Sequence, residues 1–548
     1  MKKFSAILLC ACLALSAAGC GNTKSDSGAS GSNAGTPANG SSIDVPGEGG
    51  SGFPIVTDGT SLTIMVRDIP AVEAWEKCTA IQHYEEMTGV NIEWIEIPYD
   101  SFSTTLTQVM ASGDDLPDII MKSGTSAVKL NQWGRDGLLI DIAPYIDRYM
   151  PNLKALMEKY PEVKRGVYNP DGQVFSLPEI VEGASYIVNK KAYWRKDWLE
   201  KLGKKMPTTL DEFEDVLRAI KTGDPNGNGQ KDEIGVSISM DDLMCYLYGA
   251  FGLQNRGNQL GQYDVDPKTG DIRFVRANDS YREMLTYIAK LYKEGLVDQE
   301  VYDYTASRLA SRLNNDQTGF YVHTAFDSVA DENKSKWEAQ TNTIKGAEFD
   351  FWANARNNLH SVGNFFITSA CKNPEIALRW VDYFYSTEGS MLYHNGIEGV
   401  DWEVKADGSY GYTDDCLKRR EDASSADEWK AQFSMWGWGM NPALMSADLE
   451  WVSECEELPT QAAEALIDKI PEVVWAPIQF TEEENDIISE YEGDIKKYMT
   501  TMSTKVILGQ IELTDDAWNQ YIKTINDMGG AKVLECYKQA LIRAGYDF

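Results

Sequence analysis

A strand–helix–strand–helix–strand alternation between residues 61 and 121 constrains the fold of this chain more than any other feature. Ser61–Val66 carries apolar side chains at 62, 64 and 66, the period of a strand with one covered face. A helical stretch follows from about Ala80 to Met87. Gly89 stops it, because glycine enters the left-handed C-cap conformation without a Cβ clash. Asn91–Ile97 is a second strand, Tyr99–Ser112 a second helix, and Pro117–Met121 a third, short strand. Strands separated by helices predict a parallel sheet with helices packed on it. Ligands of such sheets sit beyond the C-terminal strand ends. That rule points to Arg67, Asp68 and Trp75 after the first strand, and to Ser123, Gly124 and Thr125 after the third.

The chain has 548 residues, enough for two or three domains with ample cores. Tyr168–Phe175 reads as a hairpin turning at Pro170-Asp171-Gly172, Ser185–Asn189 as a strand, and the next stretch as a helix carrying Trp194 and Trp198. Thr209 and Glu212 form a capping-box pattern, opening a helix with Leu210, Phe213, Val216, Leu217 and Ile220 on one face. Residues 264–270 read as a hairpin, Tyr281–Lys293 as an amphipathic helix, and Thr318–Val322 as a buried strand. Gly363–Thr368 is a further strand, Asn373-Pro374 opens a helix, and the chain from Ala443 onward reads mainly helical. A formal charge of −33 argues against nucleic acid and anionic membrane surfaces as partners, since both require basic patches. Four widely spaced histidines argue against a His-rich metal or acid–base centre. Cys78, Cys245, Cys371, Cys416, Cys455 and Cys536 show no CxxC spacing; in an exported protein some could pair, but buried free thiols are expected.

The N-terminus has the marks of an export signal. Lys2 and Lys3 precede an apolar run, Phe4–Ala18, too short to be a good spanning helix. Ser16-Ala17-Ala18-Gly19-Cys20 looks like a lipobox, although Ala17 holds the place where Leu is usual; the alternative is a secretory signal cut nearby. Residues 1–19 are therefore expected to be a signal peptide, and Cys20 a lipidated N-terminus. The Gly/Ser/Asn-rich segment 20–55 is expected to be a flexible tether to the cell membrane.

Asp224-Pro-Asn-Gly-Asn-Gly-Gln-Lys-Asp232-Glu233 places side-chain oxygens at alternate positions 224, 226 and 228, with glycine at the sixth place. Hard oxygens at this spacing suit Ca²⁺. The twelfth place is Gly235, so a bidentate acid must come from Asp232 or Glu233, and a strand, Ile234–Ile238, is expected where an EF-hand has its second helix. The alternative is a solvated Asn-Gly turn.

Several stretches together resemble one family. They are Leu116–Ile120, Leu139–Ala143, Gly172–Pro178, Tyr186–Lys190, Trp194–Gly203, Pro207–Asp211 and Asn395–Gly399. With the lipobox, their order resembles the extracellular solute-binding lipoproteins of bacterial ABC importers (family 1), in the large carbohydrate-binding branch. The resemblance covers the chain from about residue 60 to its end. It implies an α/β fold of the periplasmic-binding-protein type, with two discontinuous lobes joined by hinge segments and the ligand cleft between them. Carried onto this chain, lobe 1 would be 56–180 with 363–438 and lobe 2 would be 181–362 with 439–548. Crossings would lie near 178–184, 360–364 and 435–441. Alginate-binding members carry a calcium loop similar to residues 224–233. That implies Asp224, Asn226, Asn228, the carbonyl of Gln230, Asp232 and Glu233 as ligands of a structural Ca²⁺.

Sugars are recognised by aromatic faces and planar polar groups. Trp75, Trp194, Trp352, Trp402, Trp436 and Trp438 fall on expected loops or strand ends, and Ser434–Met440 is the most telling because glycines flank both tryptophans. Polar candidates are Arg67, Ser123, Arg356, Asn357, Glu398 and Asp401. The expected activity is capture of a carbohydrate, an oligosaccharide, for delivery to the transmembrane subunits of an ABC permease. The protein is expected to act as a lipid-anchored monomer on the extracellular face, without catalysis. Two alternatives stay open. Glu398 and Asp401 beside Trp402 would also suit a cell-surface glycoside hydrolase or lyase, and the bound solute could be other than a sugar.

Overall fold

The computed structural model describes residues 52–547 apart from 69–73, 327, 407, 424, 436, 438 and 451–456. The signal segment, Cys20, most of the tether, Cys455, Trp436 and Trp438 lie outside the described residues.

In chain order the strands are β1 (Ser61–Arg67), β2 (Asn91–Ile97), β3 (Ile119–Met121), β4 (Leu177–Val181), β5 (Lys191–Arg195), β6 (Tyr263–Val265), β7 (Ile272–Phe274), β8 (Phe320–His323), β9 (Trp337–Ala339), β10 (Leu359–Ile367), β11 (Trp402–Val404), β12 (Tyr410–Tyr412) and β13 (Leu444–Met445). The first three strands with their helices, Thr79–Thr88 and Phe102–Ser112, match the expected alternation, and Gly89 caps the first helix at φ 72°. They belong to a six-stranded sheet of order β13-β4-β10-β3-β1-β2. Strands β1, β2, β3, β4 and β13 run in one direction and β10 runs against its neighbours β3 and β4. The C-terminal ends of five strands and the N-terminal end of β10 therefore share one edge. Apolar side chains of this sheet and its helices form one core, from Leu62, Ile64 and Val66 to Trp380, Phe384 and Leu444. A second core surrounds the three-stranded antiparallel sheet β8-β5-β9 and the C-terminal helices. The architecture is two α/β lobes, as expected.

The chain passes between the cores three times. After β4 it enters the short helix Ala184–Ile187; it returns to β10 through residues 355–358; and it leaves again after β13. These passages lie side by side. Val181 N donates to Asn358 O at 2.9 Å, Asn358 Nδ2 donates to Val181 O at 2.8 Å, and Glu182 N donates to Met445 O at 2.8 Å.

Three boundary expectations are corrected. Leu359–Val362, placed in lobe 2 by the sequence, begins β10 of the first sheet, and Leu359 lies in the first core. Leu444–Met445 is also a first-sheet strand; two residues paired with β4 leave no periodicity to read. Ser185–Asn189 is not a strand: a helical turn occupies 184–187 and the strand comes later, at 191–195, carrying Trp194. Trp198 alone sits on the following helix, Lys196–Leu202. Likewise Ile234–Ile238 makes only single bridges, Ile234 to Thr318 and Val236 to Val297. Thr209 caps its helix by accepting from Glu212 N, but Glu212 reaches back to Thr208 instead of closing the box on Thr209.

One glycine is dictated by the sheet edge. Gly363 has φ +81°, and a Cβ there would sit 2.0 Å from the carbonyl oxygen of Thr125. The close approach ties the turn after β3 to β10: Thr125 N and Ser123 Oγ both donate to Gly363 O.

Candidate functional site

The edge at which the three passages cross carries a polar network. Lys122 follows β3 with a left-handed φ of 57° and is 1% exposed. Its Nζ donates to Asn441 Oδ1, to Met435 O at 3.1 Å and to Tyr393 Oη at 3.4 Å. Burial lowers its pKa to about 7, opposed by the neighbouring Glu179 carboxylate. Asn441 Nδ2 donates in turn to Glu179 Oε1 at 2.9 Å, and Ser361 Oγ donates to Glu179 Oε2 at 3.2 Å. His360 and Arg356 complete the group, with Arg356 Nη1 3.2 Å from His360 Nδ1. Burial lowers the pKa values of both Arg356 and His360.

Beside this network, Arg67 Nη2 donates to Ser123 O at 2.9 Å, and its guanidinium lies over the rings of Tyr99 and Phe102. Trp75 stacks on Trp94 at 5.5 Å, donates its Nε1–H to Arg67 O, and has the Lys122 ammonium 5.7 Å from its ring. From the second lobe, β5 and β8 pair Lys191 with His323 at the end next to the first passage. Lys191 Nζ there ties Ser185 O, Asn189 O and Thr324 O. Both lobes thus present side chains at the passages, the geometry of an interlobe cleft floor.

The sequence candidates divide between places. Trp75 lies behind this edge, 2% exposed and packed in the first core; Ser123, Arg67 and Arg356 stand at it. Asn357 is there too, but its Oδ1 accepts from Leu359 N and its Nδ2 donates to Val474 O, so it braces the passage. Trp194 and Trp352 do not line the cleft. Trp194 is fully buried, its ring 4.5 Å from Phe320 and edge-on to Phe213, its Nε1–H on Gln340 Oε1. Trp352 is 3% exposed, packed edge-on to Tyr246, with Nε1–H on Lys190 O. Both are core residues of the second lobe, because β5 and its surroundings are covered on both faces.

Glu398, Asp401 and Trp402 form a separate turn. Asp401 is inaccessible; its Oδ2 accepts from Ile397 N at 2.8 Å and its Oδ1 pairs with Arg419. Trp402 donates to Gly396 O and, with Glu398, His83 and Tyr410, lines a depression of about 590 Å³. A larger depression of about 990 Å³, lined by Phe251, Phe349 and Trp518, lies wholly on the second lobe. A third depression, of about 490 Å³, is lined from both lobes by Arg165, Tyr168, Gln479 and Arg543. The strand-end edge is preferred as the site because the three passages between the lobes meet there, beside the C-terminal ends of the strands.

The 224–233 loop lies in the second lobe, after the helix Leu210–Gly223. Asp224 takes φ 47°, and Gly227 and Gly229 also take positive φ. Asn226 Oδ1 accepts from Asn228 N, Asn228 Oδ1 from Gln230 N, and Asp224 Oδ2 from Gly229 N. These bonds curl the loop around its own oxygens. Asp224 Oδ1 and Glu233 Oε2 are buried and have no hydrogen-bond partner. Burial raises the Glu233 pKa, with Asp232 and Asp224 adding to it. Among the described residues no three acids, histidines or cysteines stand together as a self-sufficient metal cluster. An ion here needs the amide and backbone oxygens as well as the carboxylates, which is the donor set the spacing provides. Two orphaned carboxylate oxygens in one curled loop fit a hard cation.

The family described as bacterial extracellular solute-binding protein matches residues 71–391. The chain belongs to that family. The fructooligosaccharide ABC transporter substrate-binding protein FusA of Streptococcus pneumoniae serotype 4 is 33% identical over 342 residues, covering 59% of this chain and 60% of that relative's length. The polygalacturonan/rhamnogalacturonan-binding protein YtcQ of Bacillus subtilis is 23% identical over 483 residues, 85% of this chain and 89% of that one. FusA in complex with kestose superposes with a TM-score of 0.70 at 25% identity, over 88% of this chain and 98% of that chain. An EF-hand mutant of FusA in complex with fructo-nystose superposes with a TM-score of 0.69 at 26% identity, over 89% and 98%.

Membership of a family of binding proteins sets aside the hydrolase reading of Glu398 and Asp401, and Asp401 is in any case committed to its turn. What sequence reading of this solute-binding protein missed is the Lys122–Asn441–Glu179–His360 network. Its members are scattered over more than 300 positions (Lys122 and Asn441 are 319 residues apart), so no local spacing announces them. The available signal was that Glu179, His360 and Asn441 each fall within an expected crossing, at 178–184, 360–364 and 435–441.

Proposed function

We propose that this solute-binding protein captures an oligosaccharide in the interlobe cleft and delivers it to the transmembrane subunits of an ABC permease. The observation that carries the reading is the convergence of three chain passages on one polar strand-end edge between two separately cored lobes. Such passages let the lobes close on a ligand with small backbone changes. The names of FusA and YtcQ, both carbohydrate binders, support a sugar as the solute and make fructooligosaccharides the first probes. Ser123, Arg67 and Arg356 are the proposed contacts among the described residues. Trp436 and Trp438 remain proposals from the sequence.

The same reading makes the protein a monomer held at the extracellular face through lipidated Cys20. It assigns Ca²⁺ to Asp224, Asn226, Asn228, Gln230 O, Asp232 and Glu233 as a structural ion. The orphaned oxygens of Asp224 and Glu233 support that assignment, as does the EF-hand named for FusA.

The test is calorimetric titration with kestose, nystose, raffinose and uronate oligosaccharides, with chromatography of the mixtures afterwards. Saturable binding of at least one sugar with every sugar recovered intact is expected. Absence of binding across the panel, with affinity for a peptide or other solute instead, contradicts the proposal; so does release of shorter sugars.

A further inference from the structure

His360 opens β10 at the cleft edge with its side chain 30% exposed, whereas the Glu179 side chain facing it is 6% exposed. Arg356 lies 3.2 Å from His360 Nδ1. A guanidinium only donates, so Nδ1 carries the lone pair and the ring proton sits on Nε2. That Nε2–H faces Glu179 Oε2 across 3.9 Å, too far for a hydrogen bond. The carboxylate is held by Asn441 Nδ2 on Oε1 and by Ser361 Oγ on Oε2, and Lys122 fixes Asn441. A fixed donor and a fixed acceptor at this separation suit one hydroxyl oxygen. It would accept from Nε2–H and donate to Oε2 at about 2.8 Å each. An ether or a methylated oxygen has no proton for the second bond.

We propose that His360, Arg356 and Glu179 form a hydroxyl-recognising subsite on the cleft floor and help decide which sugars the protein accepts. The inference rests on the cleft being the carbohydrate site. It names residues that discriminate a free hydroxyl, because a buried polar pair left unmatched penalises the wrong ligand. The charged groups facing the ring are Glu179 from β4 and Arg356 from the passage before β10. Burial lowers the His360 pKa, Glu179 raises it and Arg356 lowers it further, so the ring is neutral at pH 7. Acidification puts a second proton on Nδ1, against the guanidinium, and removes the Arg356 contact.

The whole chain is titrated with the tightest-binding sugar among kestose, nystose and raffinose, from pH 8 to pH 5, as wild type, His360→Ala and Glu179→Gln, with thermal midpoints recorded alongside. Wild-type affinity is expected to be level through neutral pH and to fall only on the acid side of the ordinary histidine range, because burial lowers the His360 pKa. His360→Ala is expected to bind roughly tenfold more weakly at pH 7, the scale of one lost buried hydrogen bond, to lose the acid-side decline, and to keep its thermal midpoint. Glu179→Gln is expected to weaken binding similarly. If that variant fails to fold, His360→Ala and the pH profile decide alone. Variants that retain wild-type affinity and the wild-type pH profile overturn the subsite while leaving the sugar reading intact. A wild type that binds none of these sugars overturns both.

Discussion

Chelating divalent cations from the purified protein lowers its thermal midpoint by roughly 5 °C, and sugar affinity of the folded fraction stays within a factor of about two. The stabilisation comes from an ion that binds only the folded loop. At a free concentration a hundred times its dissociation constant, such an ion contributes about 2.7 kcal/mol. Without it, Asp224 Oδ1 and Glu233 Oε2 are buried with no hydrogen-bond partner, and the charges of Asp224 and Asp232 add to the burial that disfavours an ionised Glu233. Asp224→Ala is expected to reproduce the loss and to make the midpoint insensitive to added Ca²⁺ in differential scanning calorimetry. Affinity is spared because the loop joins the helix Leu210–Gly223 to the segment bridged to Thr318 and Val297, inside the second lobe. Loss of sugar binding with the fold intact would move the loop into the binding site and contradict this account.

Trp194→Ala is expected to destabilise the protein by about 3–5 kcal/mol, a midpoint shift of roughly 10 °C. The side chain is fully buried against Phe320 and Phe213, so its removal leaves a cavity in the second core. It also strips a donor from Gln340 Oε1, which Tyr246 Oη shares. Protein still folded at low temperature should bind sugar with wild-type affinity, measured calorimetrically below the lowered midpoint. A stable variant with abolished affinity would return Trp194 to the ligand site, where its sequence position first placed it.

The strands of the two lobes show what local pattern carries and what it does not. The first sheet was legible because β1, β2 and β3 alternate with helices whose stops and apolar periods are local signals. The second lobe's strand was displaced by several residues because 191–195 is buried on both faces and has no alternation to read. β13 was invisible for another reason: two residues acquire strand character only from β4, more than 260 positions earlier in the chain. The 224–233 loop is the opposite case, since all the donors proposed for Ca²⁺ lie within ten residues and their spacing is visible in the sequence. The cleft floor joins Lys122, Glu179, His360 and Asn441 by tertiary contacts, so only its neighbourhood, the strand-end edge, could be named from sequence. Tryptophan count pointed to a sugar site, but the rings at 194 and 352 serve packing, as large aromatic side chains more often do.

The central claim is that a sugar binds between the lobes at the strand-end edge. A crystal structure of the complex with kestose, or with whichever panel sugar binds most tightly, tests it most directly. The account predicts the sugar on the floor formed by Arg67, Ser123, Glu179, Arg356 and His360, with groups of both lobes in hydrogen-bond contact. A sugar seated instead in the depression by Trp518 on the second lobe, or in the one by Trp402 and Tyr410, with the edge left free, would contradict it.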